Sequence, residues 1–228
     1  MQTFFAGPFT FTPVRSLKLA GSDCITWRLE YGTRFLAEKT IPATLTQAQV
    51  RDHLSEGTAS FVREMKSEHF PEVIEIVDYQ TDRVEGWLQL APDFDAGLTP
   101  GIIDDRSDLW LRSRNRLRSK AVSIADLLEL SAKHTAPRNM WMLGLLPTDV
   151  TTANAEEWRA PTSWEIRHLV GEGSLTGVTG AQAAILTGVT PQNFRKYTAA
   201  EGAKTRQSMS FSMWHLLLSR LEIKNANF

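Results

Sequence analysis

Gln192, Asn193, Arg195 and Lys196 stand close together near the C-terminal end of the chain, in the stretch VTGAQAAILTGVTPQNFRKYTAAEG, residues 178–202. An amide side chain offers a paired donor and acceptor that can meet the edge of adenine, and a guanidinium does the same for guanine. Gln192, Asn193 and Arg195 are therefore candidate base readers, and Lys196 is better suited to neutralising a phosphate. Such groups can read a duplex only if a helix holds them in register, and the flanking residues supply the signals for one. Thr179 and Gln182 have the spacing of a capping box. Ala183 and Ala184 are small where two helices must approach closely. Gly188 permits a positive φ at a tight turn. Thr190 can cap a second helix whose first residue is Pro191, where the missing N–H costs nothing. That helix sets Phe194 and Tyr197 on one face and the polar set elsewhere. Thr179, Gln182 and Thr190 then lie where backbone-register contacts to phosphate are made. Helix, glycine turn and helix make a helix-turn-helix. The other reading of the same residues is an αα-hairpin with Arg195 and Lys196 on a solvated face.

With Gly188 in the turn, the stretch resembles the helix-turn-helix of the Cro/C1-type repressors. Ala184, Gly188, Val189, Phe194 and Tyr197 match the core positions. It is similar in particular to the anti-CRISPR-associated repressors, whose pattern AAxLxGVS…RxY is matched by AAILTGVTPQNFRKY. Thr187 departs from the pattern, since that position is usually more apolar.

The elements upstream change character. The segment DCITWRLEYGTRFLAEKTI has the alternation of a hairpin with its turn at Gly32, and FFAGPFTFTPV adds a strand that Pro8 and Pro13 confine to an edge. Residues 46–68 switch to helical spacing through Val50, Leu54, Phe61 and Met65, with a break expected at Gly57. EVIEIVDYQTDRVEGWLQLA returns to alternation around a turn near Thr81 and Asp82. The Pro- and Gly-bearing stretch at 92–101 marks a first boundary. Beyond it the spacing of Leu109, Leu111, Leu117 and Val122 reads as helical, and Ser123 caps a helix carrying Leu127, Leu128 and Leu130. A second linker begins at Pro147. The expected fold is an α+β domain over residues 1–95, a small sheet with a packed helix. A helical middle segment and linker follow over 96–155, and an all-α helix-turn-helix domain over 156–228.

The terminal SMSFSMWHLLLSRLEI carries Phe211, Trp214, Leu217, Leu218 and Leu221 on a broad apolar surface. Trp214, Leu217, Leu218 and Leu221 are candidates for a dimer contact, since dimers meet two half-sites about one DNA turn apart; the same residues also suit a final core helix. The densest basic run is RSRNRLRSK, residues 112–120. It reads as a solvated helix or as an electrostatic contact to nucleic acid or an acidic partner.

Charge is divided unevenly along the 228 residues. Lys and Arg total 25 against 26 Asp and Glu, yet residues 1–100 carry 9 basic and 14 acidic side chains while residues 161–228 carry 7 and 4. An acidic front and a mildly basic tail suggest two different partners. The densest acidic series, Glu64, Glu68, Glu72, Glu75, Asp78, Asp82 and Glu85, is the candidate partner-binding surface of the front domain, set against an ordinary solvated face. No apolar run is long enough for a membrane span, and the first residues lack the pattern of a signal peptide, so a bacterial cytoplasm is the expected location. The single cysteine, Cys24, suits a buried filler better than a reactive thiol and excludes an internal disulfide. The five histidines, His53, His69, His134, His168 and His215, have no companion at metal-site spacing. Phosphate-cradling, dinucleotide and nucleophile-elbow motifs are all missing. No enzyme, metal or cofactor is expected.

Length, an acidic α+β front, a helical middle and a repressor-like tail together resemble the dual-function type I-F anti-CRISPR proteins that carry their own anti-CRISPR-associated domain. The resemblance implies that the front domain binds the Cas7-type backbone of the type I-F crRNA-guided surveillance complex (Cascade) and blocks target DNA hybridisation. It also implies a tail that represses its own operon through an inverted repeat in double-stranded DNA, and a homodimer able to tie two complexes together. The competing expectation is a conventional helix-turn-helix regulator with an N-terminal ligand-sensing domain.

Overall fold

The alternating front segment forms sheet. The computed structural model describes residues 2–69, 73–91, 94–100 and 109–224. In it β1 (Phe4–Ala6), β2 (Phe9–Leu19), β3 (Ser22–Tyr31) and β4 (Arg34–Pro42) make an antiparallel meander in chain order. The stretch expected to add one edge strand folds as two, β1 and β2, and β2 lies between β1 and β3. Pro13 is tolerated because β1 stops pairing at Phe4 opposite Phe11, and because the register against β3 shifts at Pro13. α1 (Gln47–His53) starts from a complete Thr46–Gln49 capping box. The break before α2 (Ser55–His69) falls at Leu54, not at Gly57, which lies inside α2. Val50, Leu54, Phe61 and Met65 are all buried, as are Phe9, Phe11, Trp27 and Leu29 of the sheet. Phe61 meets the ring of Phe9 edge-on at 5.8 Å and that of Tyr31 at 4.4 Å.

The second hairpin, β5 (Val73–Asp78) and β6 (Val84–Gln89), does not extend this sheet. It pairs with residues for which helix was expected. β7 (Thr99–Pro100), β8 (Leu109–Ser113) and β9 (Arg118–Val122) complete a five-stranded antiparallel sheet of order β6-β5-β8-β9-β7. The spacing of two between Leu109 and Leu111 is the strand period, and both turn toward a core of Ile74, Leu88, Leu90, Leu111 and Val122. α3 (Ile124–His134), capped by Ser123 as the sequence indicates, packs Leu127 and Leu130 on that core. The segment expected to be all helical thus supplies three strands of this sheet as well as α3.

By its contacts the chain forms two compact units, Met1–Glu68 with Leu143–Phe228, and His69–Met142. The stretch at 92–101 thus lies within the second unit, where Phe94, Ala96 and Leu98 pack on its core. The stretch from Pro147 is no free linker either. It contains α4 (Thr148–Thr151), and the carbonyl of the fully buried Val150 accepts from the indoles of Trp158 and Trp214 at 3.2 and 2.6 Å.

α5 (Ser163–Leu169), α6 (Gly180–Thr187), α7 (Pro191–Thr198) and α8 (Phe211–Arg220) follow. α5 is fastened to the first sheet. Its His168 accepts at Nε2 from the Tyr31 hydroxyl at 2.8 Å, and the Trp164 indole donates to the Pro8 carbonyl at 3.2 Å. The loop after α5 meets the β1–β2 turn, where Gly7 N–H donates to Glu172 O at 2.7 Å. A Cβ on Gly7 would stand 2.1 Å from Gly173 O, so only glycine fits that crossing. Arg51 of α1 pairs with Glu172 at 2.6 Å. Among the described residues no helix is long and apolar enough to cross a membrane.

Candidate nucleic-acid interface

Both helix starts predicted around the glycine turn are present. Thr179 caps α6, its hydroxyl accepting from Gln182 N–H at 3.2 Å while Gln182 Oε1 accepts from Thr179 N–H at 2.8 Å and from its hydroxyl at 2.9 Å. That closure occupies the Gln182 carbonyl and leaves its NH2 as the group able to reach a phosphate. Gly188 ends α6 at φ 72°, ψ 23°, and Val189 N–H returns to Ala184 O at 3.0 Å, the bond that turns the chain back across the helix end. Thr190 then caps α7 by accepting from Asn193 N–H at 3.2 Å, with Pro191 at the first helical position.

The corner is held from inside by small and aromatic residues. Ala183, Ala184 and Phe194 are buried, Val189 and Tyr197 partly so, and Tyr197 meets Phe194 edge-on at 6.0 Å. Thr187, the departure from the apolar pattern, is buried without penalty, because its hydroxyl donates to the carbonyls of Ala183 and Ala184 at 2.8 and 3.3 Å.

The opposite side of α7 faces water. Gln192, Asn193 and Arg195 are exposed and Lys196 is partly so. At 100° per residue these four cover roughly 160° of the helix circumference, away from Phe194. Arg195 and Lys196 form no ion pair among the described residues. Their charge is free to meet an anionic surface.

Beyond α7 the structure places a clamp that sequence spacing does not announce. Arg206 lies in an irregular loop, yet its Nη1 donates to Tyr197 O and Gln207 O, both at 2.8 Å, and its Nη2 to Pro161 O at 3.2 Å and Glu201 Oε1 at 3.0 Å. The C-terminal end of α7 is thereby tied to the N-terminal end of α5. The same Glu201 oxygen accepts from Ser163 N–H at 2.7 Å. The Arg206 bond first, and the Ser163 N–H second, hold the Glu201 carboxyl down at about 2. A second clamp fixes the α5 capping box. Burial alone would raise Glu165, but the paired Arg159 guanidinium and the Thr162 donors outweigh it and keep its value below the ordinary one. No periodicity marks either arginine. Only the isolated pairing of opposite charges in loops could have pointed to them.

The residues singled out for a dimer are not available for one. Trp214, Leu217 and Leu218 are fully buried and Leu221 nearly so. α8 spends this stripe on α6 and on the Val150 segment of its own chain. The core-helix reading of these residues stands. On the described surface of α8, Leu216 is the exposed apolar side chain.

The acidic series fares similarly. Glu75 is buried on β5 and receives Arg112 Nε at 2.7 Å from the directly opposite position of β8, while Arg112 Nη1 reaches Asp82 at 2.6 Å. Glu75 is thus removed from the candidate partner surface, and Arg112 from the solvated basic run. Asp78 accepts from the Thr81 hydroxyl and N–H at 2.7 and 2.8 Å, and these bonds lower its value. Glu64 chelates Arg34 at 2.7 and 2.6 Å, Glu85 lies 3.5 Å from Arg83, and Glu68 is exposed. Glu72 lies outside the described residues. Among the described residues no group of three potential metal ligands is assembled, and Cys24 is a buried free thiol. No protein-family model and no curated protein matches this chain.

Proposed function

We propose that the protein binds double-stranded DNA through α6 and α7, reading bases with Gln192, Asn193 and Arg195 and phosphates with Lys196, and that it represses its own operon at an inverted repeat. The observation that carries this reading is the exposed amide and guanidinium edge of α7, set opposite a buried Phe194 behind a left-handed glycine corner. Thr179, Thr190 and the Gln182 NH2 flank that edge where phosphate contacts set the register. A two-fold repeat in the operator calls for a homodimer whose contact lies outside the buried stripe of α8.

The resemblance extends the proposal to an anti-CRISPR protein that binds the Cas7-type backbone of the type I-F surveillance complex and blocks target DNA hybridisation. The exposed acidic groups left for such a contact are Glu64 and Glu68 in the first unit, or Asp82 and Glu85 in the second. For the ligand-sensing reading, two cavities among the described residues of the front half, lined by Phe4, Gln47 and Arg51 and by Ile74, Phe94 and Leu98, hold about 40 and 80 Å3, well below the size of a metabolite site; a cavity of about 680 Å3 lies instead along α8, lined by Phe211, His215 and Leu216.

The test is binding to duplex DNA carrying the inverted repeat upstream of its own gene. Arg195→Ala should cost about 1–3 kcal/mol and relax specificity at one base position, whereas Lys196→Ala should weaken all sequences alike. If neither variant alters DNA binding, α7 is not the reading helix. Co-elution with the type I-F complex, unchanged by Arg195→Ala, would support an inhibitory front that works independently.

A further inference from the structure

The basic run that joins β8 to β9 plays no part in the α6–α7 site, and its conformation is unusual. The tip of this hairpin is fastened from within. Ser113 Oγ donates to Asn115 Oδ1 at 2.7 Å, Asn115 Oδ1 accepts from Leu117 N–H at 3.1 Å, Ser113 Oγ accepts from Arg118 N–H at 3.0 Å, and Arg116 N–H donates to Ser113 O at 2.7 Å. With its polar backbone groups turned inward, the tip presents Arg114, Arg116 and Leu117 to solvent, Leu117 at 70% exposure. Neither Arg114 nor Arg116 has an ion-pair partner among the described residues. Arg116 sits at φ +61°, a left-handed conformation that glycine or asparagine adopts at lower cost. An arginine kept in a strained position, beside an apolar side chain held in water, is explained when both meet a ligand.

We infer that the β8–β9 tip is a second nucleic-acid contact, with Arg114 and Arg116 on the phosphates of a DNA duplex and Leu117 against its sugars. Guanidinium groups on a rigid turn suit this surface, since they bind phosphate bidentately and lose little freedom in doing so. The contact carries no sequence information. What it supplies is affinity and salt dependence. Its existence does not require α7 to be the reading helix.

The experiment measures binding of the full chain to a random-sequence duplex and to the inverted-repeat duplex over a range of salt concentrations. Three variants are compared with the wild type: Arg114→Gln/Arg116→Gln, Arg114→Lys/Arg116→Lys, and Gln192→Ala/Arg195→Ala. Loss of two phosphate contacts should flatten the slope of log affinity against log salt by roughly 1.8 on both duplexes, and lower affinity about tenfold or more near 0.1 M salt. The lysine variant should keep most of the slope. An unchanged slope in the glutamine variant overturns the proposal, leaves the tip to an acidic protein partner, and does not touch the α7 reading. A flattened slope, with sequence discrimination unaffected by Gln192→Ala/Arg195→Ala, sustains the tip and overturns α7. Absence of wild-type binding to either duplex overturns both.

Discussion

Acidification should destabilise the first unit through His168, beginning near pH 6.5. This imidazole is fully buried in α5. Its Nδ1 lies 2.9 Å from the Trp164 carbonyl, which can only accept, so Nδ1 carries the proton and Nε2 accepts from Tyr31. Both nitrogens are satisfied in the neutral ring. Burial opposes a second proton and lowers the value from 6.5 to about 4. The same burial holds the Tyr31 phenol up at about 12, so Tyr31 stays a donor throughout. Below pH 6.5 the unfolded chain therefore takes up a proton that the folded chain refuses. Stability from this group is intact above about pH 7, falls as pH drops from 6.5 toward 4, and levels off below. The difference in proton uptake integrates to about 2 kcal/mol between pH 7 and pH 5, and to about 3 kcal/mol below pH 4. Glu201 is held down at about 2 and titrates beneath this window, and Glu165 is likewise lowered from its ordinary 4.5. His215, also lowered by burial and by Lys224, adds in the same direction. Urea unfolding at pH 7, 6 and 5, for wild type, His168→Gln and His215→Gln, separates the two. The His168→Gln protein should lose about 2 kcal/mol less than wild type over that range. Equal losses, or an imidazole resonance for His168 that titrates near pH 6.5 in the folded protein, would refute the reasoning.

Gly188→Val should cost roughly 1–2 kcal/mol in thermal unfolding, because φ 72° is strained for a branched residue; open space around the new Cβ means that Gly188→Asn recovers most of the loss. Arg206→Ala should lower stability by about 2 kcal/mol, leaving the Tyr197 and Pro161 carbonyls without their donor. In the same variant the Glu201 carboxyl, followed by carbon-detected titration, should move up toward its ordinary range.

Local signals carried α6, the glycine corner and α7 because their determinants lie within a few residues of one another. A threonine cap, a glycine corner and a proline at the first helical position need no distant partner to act. The front meander was legible for the same reason, as alternation broken by turn residues. The middle of the chain misled because its determinants are remote. The step of two from Leu109 to Leu111 is the strand period, but a single such step does not stand out in so short a span. What makes β8 a strand is pairing with β5, more than thirty residues away, including the Glu75–Arg112 contact that turns two surface charges into a buried pair. An apolar stripe such as that of α8 shows that a face is covered, but not by what. In this fold its cover is α6 and Val150. Charge in sequence likewise says nothing about whether its partner is solvent or another strand, and so the acidic series lost Glu75 to the interior.

α6 and α7 should not fold as a separate C-terminal domain. A fragment of residues 156–228 would lose Val150, whose carbonyl takes the indole proton of the fully buried Trp214. It would also lose Tyr31, Pro8 and Gly7, which receive His168, Trp164 and the loop after α5. Each orphaned buried polar group costs about 1–3 kcal/mol, and the apolar faces of Trp164 and Trp214 would be newly exposed besides. That total is comparable to the whole stability of a small domain, about 5–15 kcal/mol. The fragment should therefore show little cooperative unfolding by circular dichroism and bind operator DNA far more weakly than the full chain. Adding back residues 143–155 restores Val150 but not the sheet, and should recover only part of the helix signal. A fragment of 156–228 that melts cooperatively and binds DNA with full affinity would show that α5 needs no sheet beneath it. If the fragment fails as expected, substitutions in the first sheet that loosen Tyr31 or Gly7 should weaken the proposed DNA binding without touching α7, because the sheet and α7 belong to one compact unit.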